Sequence, residues 1–210
     1  MQHWSPDAGA SIEFEQEGVE QLAIPTESEL TVLHPLFAAR YALRCAQRVR
    51  PLLAAAPAEV QPELREILPT FDAIESAEDK ELSAALIVIV KLSAGRKTWN
   101  WNGIRAVATL SSALYAALAF RALMGNATSD WGAKLSKAAF KAGANALSSI
   151  EAAVEDPAAV RMLEARLRSD YEILAVLPAD DAQVRQISAR LDELLGALWG
   201  GEGSPIDGST

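Results

Sequence analysis

Side chains that commonly carry covalent or metal chemistry are scarce in this sequence. It contains one cysteine, Cys45, and two histidines, His3 and His34. A nucleophilic cysteine needs a neighbouring base, but His34 lies eleven residues before Cys45, which is about three turns away along a helix. A zinc site needs several Cys, His or carboxylate ligands close together, and the sequence offers no such His/Cys group. We therefore expect Cys45 to be a small buried apolar residue, and we predict no metal site.

Acidic residues are the remaining candidates for catalysis. Glu151 and Glu155 lie one helical turn apart, as acids near helix ends often do, whereas Asp170 and Glu172 fall on different faces. Bundles that bind two metal ions use Glu-x-x-His pairs on facing helices, and the sequence contains none. It also lacks a GxSxG motif, a Walker loop and a GxGxxG motif. We predict no catalytic residue and no cofactor, with an enzyme of unrecognised site as a remaining alternative.

Three arginines form a ridge on the first predicted helix. Arg40, Arg44 and Arg48 recur every four residues, so a helix places them on one side. The apolar stripe of the same helix has Cys45 near its centre. We expect this arginine ridge to be a solvated face, and the alternative is a site for an anion or a partner.

A later helix carries three lysines within a narrow sector: Lys134, Lys137 and Lys141. Lysines on the outer face of an amphipathic helix usually contact only water. The alternative is a binding surface for an acidic partner, because clustered charge attracts opposite charge over several ångströms.

Tryptophans interleave with bases ahead of the central helix. Trp99 and Trp101 flank a turn close to Arg96, Lys97 and Arg105. Aromatic rings beside bases can stack on a ligand or lie in a membrane interface. The alternative is that the two rings fold back and cover one end of the bundle.

The charge of the chain limits its partners. The formal net charge is −9 and the pI is about 4.8, which makes general nucleic-acid binding unexpected because phosphate contacts need clustered Lys and Arg. Residues 1–30 contain seven acids and no Lys or Arg, whereas residues 82–149 contain eight bases and one acid. The acidic flanks either neutralise this basic centre within the fold or leave it as a surface for an acidic partner or an anionic membrane. One cysteine and the absence of a signal-peptide pattern favour the cytoplasm.

The sequence is organised around the apolar segment Ile104–Met124. It contains neither Pro nor Gly, and its only charges are Arg105 and Arg121 near the two ends. A helix that is apolar on every side is either a core helix or a membrane span. The uncharged residues 106–120 are fewer than the roughly 20 that cross a bilayer. We therefore predict a central core helix, whose alanine-rich side lets a neighbouring backbone approach closely.

The composition predicts an all-α protein, a compact bundle of six or seven helices around this central helix. About one residue in five is Ala, a strong helix former. Further helices are expected at residues 36–53, 62–68, 72–90, 130–153, 157–176 and 180–199. Asp72 and Glu75 resemble a capping box. Residues 84–90 contain four β-branched residues that suit a strand, but their flanks favour a fully buried helix. Residues 1–33 are predicted as an acidic, mostly irregular arm, residues 34–199 as one helical domain, and residues 200–210 as a disordered tail.

The first predicted helix also resembles a known family. The spacing of Cys45-Ala46-x-x-Val49-x-Pro51-Leu52 is similar to the opening helix of bacterial Ala-rich helical immunity proteins of toxin systems. The similarity covers under a tenth of the chain. The later helices of that family are rich in Ala and His, and the later predicted helices of this chain contain no histidine, so no site residue is transferred. The resemblance implies a small bacterial helical protein that binds a partner and performs no chemistry.

These observations give one leading hypothesis and one main alternative. The leading hypothesis is a non-catalytic cytoplasmic interaction protein of a bacterial conflict or defence system. It would bind a protein partner through its basic middle segment and the loop of residues 99–102. The alternative is a membrane-active protein that inserts the apolar segments between residues 82 and 124 after a trigger. The sequence leaves the oligomeric state open.

Overall fold

The computed structural model describes residues 24–95, 104–125, 130–154, 156–199 and 204. Within these ranges the chain forms nine α-helices and one 3₁₀ helix, and no β-strand. In chain order they are α1 (Glu27–Thr31), α2 (Pro35–Val49), the 3₁₀ helix (Arg50–Ala55), α3 (Gln61–Asp72), α4 (Asp79–Gly95), α5 (Ile104–Met124), α6 (Asp130–Ala153), α7 (Pro157–Ala175), α8 (Asp181–Ser188) and α9 (Leu191–Leu195). The predicted all-α fold is confirmed, and the helices beyond the expected number are short. Most of the predicted tail and most of the predicted arm lie outside the described residues.

Helices α2, α5 and α6 pack against one another at the centre of the bundle. Helix α4 covers α5, α3 covers α4, and α1 and α7 lie against α6. The pairing of α5 with α6 is the most extensive. Small buried residues on both helices explain this closeness, because alanines let two backbones approach: Ala106, Ala113 and Ala116 on α5, and Ala139, Ala142 and Ala146 on α6.

Helix α5 has the bounds that the sequence predicts. Its large residues Val107, Leu110 and Leu114 are fully buried, so the helix belongs to the core on one side. On its other side most residues are half-buried, and Tyr115 is exposed. Helix α5 is also long and apolar enough to cross a membrane, with 39% of its most apolar window buried. Length and composition alone are weak evidence for a span, because the core helix of a globular protein passes the same criterion.

The boundary between α3 and α4 differs from the sequence prediction. Helix α3 continues through Pro69 and ends at Asp72, so the expected stop at Pro69 and the expected start at Asp72 are both wrong. The buried stripe of Leu64, Ile67 and Phe71 spans the proline, and its packing outweighs the backbone hydrogen bond that proline removes. Helix α4 begins only at Asp79.

Helix α4 includes the segment that could have been a strand. Residues 84–90 are helical throughout, with Leu82, Ala85 and Ile89 buried. The expectation of full burial is wrong, since Ile87 is 56% exposed and Val90 is 55% exposed. The buried residues of this helix form one stripe in the described structure, and α3 and α5 are its main neighbours.

The last predicted helix is two helices. A turn at Ala189 and Arg190 separates α8 from α9. Gly196 then ends α9 with a φ of +67°, a conformation that residues with a Cβ rarely adopt. The two changes of direction bury Leu191 and Leu195, and they bring the last carbonyl groups of the segment to α2.

Helix α1 lies within the predicted arm. Thr26 and Glu29 form a reciprocal capping box at its start. Leu30 is fully buried and Leu33 is nearly so, which anchors the helix on α6. Glu29 also accepts a hydrogen bond from Arg168 of α7, at 2.8 Å.

Candidate functional site

The arginine ridge is buried, so its interpretation as a solvated face is wrong. Arg40 is 9% exposed, Arg44 2% and Arg48 0%. For Arg44 and Arg48 the cover comes from α7, from the end of α9 and from the segment that follows it, all far along the chain from α2. An arginine is almost never fully buried unless it is paired, and each of the three is paired here.

Asp170 of α7 is the centre of a buried network with two of these arginines. Its Oδ2 accepts from Arg44 Nε at 3.0 Å and from Arg48 Nη1 at 2.6 Å. The side chain of Asp170 is 4% exposed. Both of these partners come from another helix, α2. Asp170 thereby joins α7 to α2.

The same two arginines bind the chain after α9. Arg44 Nη2 donates to the carbonyl oxygens of Gly196 at 3.1 Å and Leu195 at 3.3 Å. Arg48 Nε donates to the carbonyl oxygen of Leu198 at 2.8 Å. Carbonyl groups at a helix C-terminus have no partner within their own helix. The guanidinium groups supply that partner, and the carbonyl dipoles help to balance the second positive charge.

Cys45 lies beside this network and is fully buried, as the sequence predicts. Burial, only partly offset by the positive charge of Arg48, raises the pKa of the Cys45 thiol to about 12. The thiol is therefore protonated at neutral pH and is not a nucleophile. Burial also raises the pKa of the Tyr41 phenol well above its ordinary value. Within the described structure the Tyr41 hydroxyl and Arg48 Nη2 lack a partner at hydrogen-bonding geometry.

The network can hold helices together, but a substrate could not contact its charged groups in this structure. Its charged atoms are closed off from solvent, and its carboxylate is already shared by two guanidinium groups. His34 is likewise structural: Nδ1 accepts from the Leu36 amide at 3.2 Å as the cap of α2, and Nε2 lies 3.0 Å from Asp181 Oδ1. Among the described residues no group of three or more His, Cys, Asp or Glu could hold a metal ion.

Arg40 differs from the other two arginines because its partners are exposed. Its Nη1 pairs with Glu75 and its Nη2 with Asp192. The side chains of Glu75 and Asp192 are 71% and 70% exposed. Arg40 also lines a cavity of about 360 Å³ between α2, α5 and the turn before α9. The apolar lining includes Leu36, Leu43, Ile74, Ala113, Ala117 and Phe120.

The lysines of α6 lie on its outer side. Lys137 and Lys141 are exposed and have no ion pair or hydrogen bond with any residue that the structure describes. Lys134 pairs with Asp130 at 2.8 Å, which raises the pKa of Lys134, and its Nζ lies 4.4 Å from the centre of the Trp131 ring. We call Lys134, Lys137 and Lys141 the lysine face.

Aromatic residues flank the lysine face. Trp131 is half-buried beside Lys134, and Tyr115 of α5, which is 37% exposed, lies near Lys134. Sequence reasoning missed both, although Trp131 stands three residues before Lys134 and such spacing places side chains together on a helix.

The remaining predicted site residues cannot be placed. Trp99, Trp101, Arg96 and Lys97 lie outside the described residues. Comparison of the chain with known proteins adds no further assignment: no protein-family model, no curated protein and no solved structure matches it.

Proposed function

We propose that this chain is a non-catalytic helical interaction protein that binds an acidic protein partner through the lysine face. The observation that carries the proposal is the pair Lys137 and Lys141. Both ammonium groups are exposed and unpaired within the described structure, although the chain has a net charge of −9 and many acids are available to it. Charge of this kind speeds association with a partner of opposite sign.

The surroundings of the lysine face suit a protein partner. Trp131 and Tyr115 lie beside it, and Trp and Tyr are enriched among residues that contribute most to interface affinity. The buried residues of α6 fix the face on a helix that is packed against α2 and α5, so binding needs no ordering of the surface. The resemblance of α2 to immunity proteins suggests a toxin as the class of partner.

The test compares two double charge reversals in the full-length protein. Lys137→Glu/Lys141→Glu changes the lysine face and leaves the Lys134–Asp130 pair intact. Arg65→Glu/Lys91→Glu changes the total charge by the same amount at exposed positions of α3 and α4. All four side chains are exposed, so we expect melting temperatures close to wild type for both variants.

Each variant and the wild type then serve as bait in a quantitative pull-down from a lysate of the source organism. The products of adjacent genes are also expressed and tested as candidate partners. We expect the wild type and the α3/α4 variant to retain one acidic protein that the lysine-face variant loses. Equal retention by all three baits would remove the lysine face from consideration. Loss with both variants would show that only total charge matters.

The second candidate is the membrane-active protein, and one observation favours it. Ile87 and Val90 are exposed on α4, next to a helix of spanning length. Flotation with anionic liposomes, before and after acidification, tests this candidate. The membrane-active candidate would be supported if the wild type floats with the liposomes and Ile87→Asp does not. It would be rejected if all of the wild-type protein stays in the bottom fraction.

A further inference from the structure

The cavity beside Arg40 has the properties of a small-molecule site. Its volume of about 360 Å³ falls within the range of roughly 300–1,000 Å³ that ligand pockets usually have. Aliphatic and aromatic side chains, chiefly from α2 and α5, form most of its wall. Such a wall takes up the apolar part of a ligand because it releases ordered water from both surfaces. No residue of the lysine face lines this cavity, so the inference is independent of the function proposed above.

Arg40 supplies a buried charge on this mostly apolar wall, which Glu75, Arg121 and Ser188 also line. Its side chain is 9% exposed, and Nε has no hydrogen-bond partner among the described residues. A guanidinium group has five N–H donors in a planar fork that matches a carboxylate. The carboxylates that now occupy this fork, Glu75 and Asp192, are both mostly in water, so either can leave the guanidinium group and remain hydrated.

We propose that the cavity binds a small molecule with an apolar chain and a carboxylate head, and that Arg40 receives the head. Asp192 or Glu75 rotates into solvent when the ligand arrives. The exchange replaces an exposed carboxylate with one that the ligand carries into a drier site, where a charge-assisted hydrogen bond is stronger. The apolar chain then lies against Leu43, Ala117 and Phe120.

The other charged groups near the cavity are already committed. Arg121 donates to the carbonyl oxygens of Ile74 and Glu75 at 3.0 and 3.2 Å and pairs with Asp79 at 2.9 Å. Glu75 could instead attract a cationic head, because its carboxylate is exposed. A ligand ammonium there would lie beside the buried Arg40 guanidinium, and repulsion between the two positive charges weakens that arrangement.

The first experiment uses three probes with the same chain and different heads: octanoate, octanol and octylamine. Each is titrated into the full-length protein by calorimetry at neutral pH and low salt. We expect octanoate to bind most tightly, octanol less tightly and octylamine least. Equal affinity for the three would overturn the role of Arg40, preference for octylamine would assign the head to Glu75, and absence of binding by all three would overturn the site.

Two variants separate the head from the chain. Arg40→Gln removes the buried charge while Glu75 and Asp192 stay in water. We expect this variant to lower the affinity for octanoate by about tenfold or more and to change the affinity for octanol little. Its matched control is Arg50→Gln, which removes an exposed pair with Asp72. Ala117→Phe fills the cavity and should abolish binding of octanoate and octanol alike, whereas Ala165→Phe, at an exposed position, should not. Unchanged octanoate affinity in both cavity variants would refute the proposal.

Discussion

Replacement of Asp170 by asparagine tests whether the buried network holds the bundle together. The new amide side chain would have nearly the same shape as the carboxylate and would keep one acceptor oxygen, but it would carry no charge. Arg44 and Arg48 would then remain buried, at 2% and 0% exposure, without a counter-ion. Their bonds to the carbonyl oxygens of Leu195, Gly196 and Leu198 would remain.

The expected loss is large for a single substitution. Removal of one partner from a buried ion pair costs about 3–5 kcal/mol. The three remaining carbonyl acceptors favour the lower end of that range, about 3 kcal/mol, out of a total stability of roughly 5–15 kcal/mol for such domains. In a chain of this length a loss of about 3 kcal/mol lowers the melting temperature by roughly 6–12 °C.

The assay is urea unfolding followed by circular dichroism, with Asp72→Asn as the matched control. Asp72 also pairs with an arginine, Arg50, but the two side chains are 47% and 42% exposed, so its replacement should cost about 1 kcal/mol or less. Amide hydrogen exchange should show the first loss of protection at α9, because the arginines that bind its end would have lost the carboxylate that fixes them on α7. A free-energy loss for Asp170→Asn equal to that of Asp72→Asn would refute the reasoning.

Three further predictions concern residues around this network. Cys45 should resist alkylation in the folded protein at pH 8. Burial raises the pKa of its thiol to about 12 from roughly 8.5 in the unfolded chain, so the folded state holds the proton more tightly. The free energy of unfolding should therefore fall as pH rises between these two values, and it should fall less steeply in Cys45→Ala. Gly143→Ala places a Cβ 2.8 Å from the Tyr41 hydroxyl and should destabilise the protein by about 1–3 kcal/mol. Gly132→Ala is the matched variant in the same helix: its Cβ would have no atom within 4 Å, so it should stabilise the protein by about 0.5–1 kcal/mol. Thermal unfolding of both variants tests the pair. Gly196→Ala should cost about 1–3 kcal/mol by strain at positive φ, measured by urea unfolding, and an unchanged midpoint would show that the turn relaxes.

Helix positions were largely predictable because local rules act on short segments. A proline at the first turn marks the start of α2 and of α7, and Asp156 caps α7 as its sequence indicates. The bounds of α5 could be predicted from an uninterrupted run of helix-forming residues alone. Pro69 shows the limit of such rules: the sequence reads it as a stop, and packing of Phe71 carries α3 past it.

The environment of charged residues was not predictable in the same way. Arg44 and Lys137 each lie on the polar side of an amphipathic helix, and both were expected to be solvated. Arg44 is covered by α7 and the segment after α9, while Lys137 is exposed. The residues that bind Arg44 are 126 to 152 positions away along the chain, so no local pattern on α2 could indicate them. The break between α8 and α9 brings those carbonyl groups to the arginines. The regular spacing of apolar residues in this segment predicted one continuous helix instead.

The sequence by itself determined the helical composition, the place of Ile104–Met124 at the centre and the burial of Cys45, because periodicity and propensity depend on neighbours within a few turns. Tertiary structure alone decided that the arginine ridge faces inward, that Asp170 is its counter-ion, and that a cavity opens beside Arg40. The physical reason is that burial of a charge depends on which distant element covers it. An amphipathic pattern tells which side of a helix is polar, but it does not tell whether that side meets water or another part of the chain.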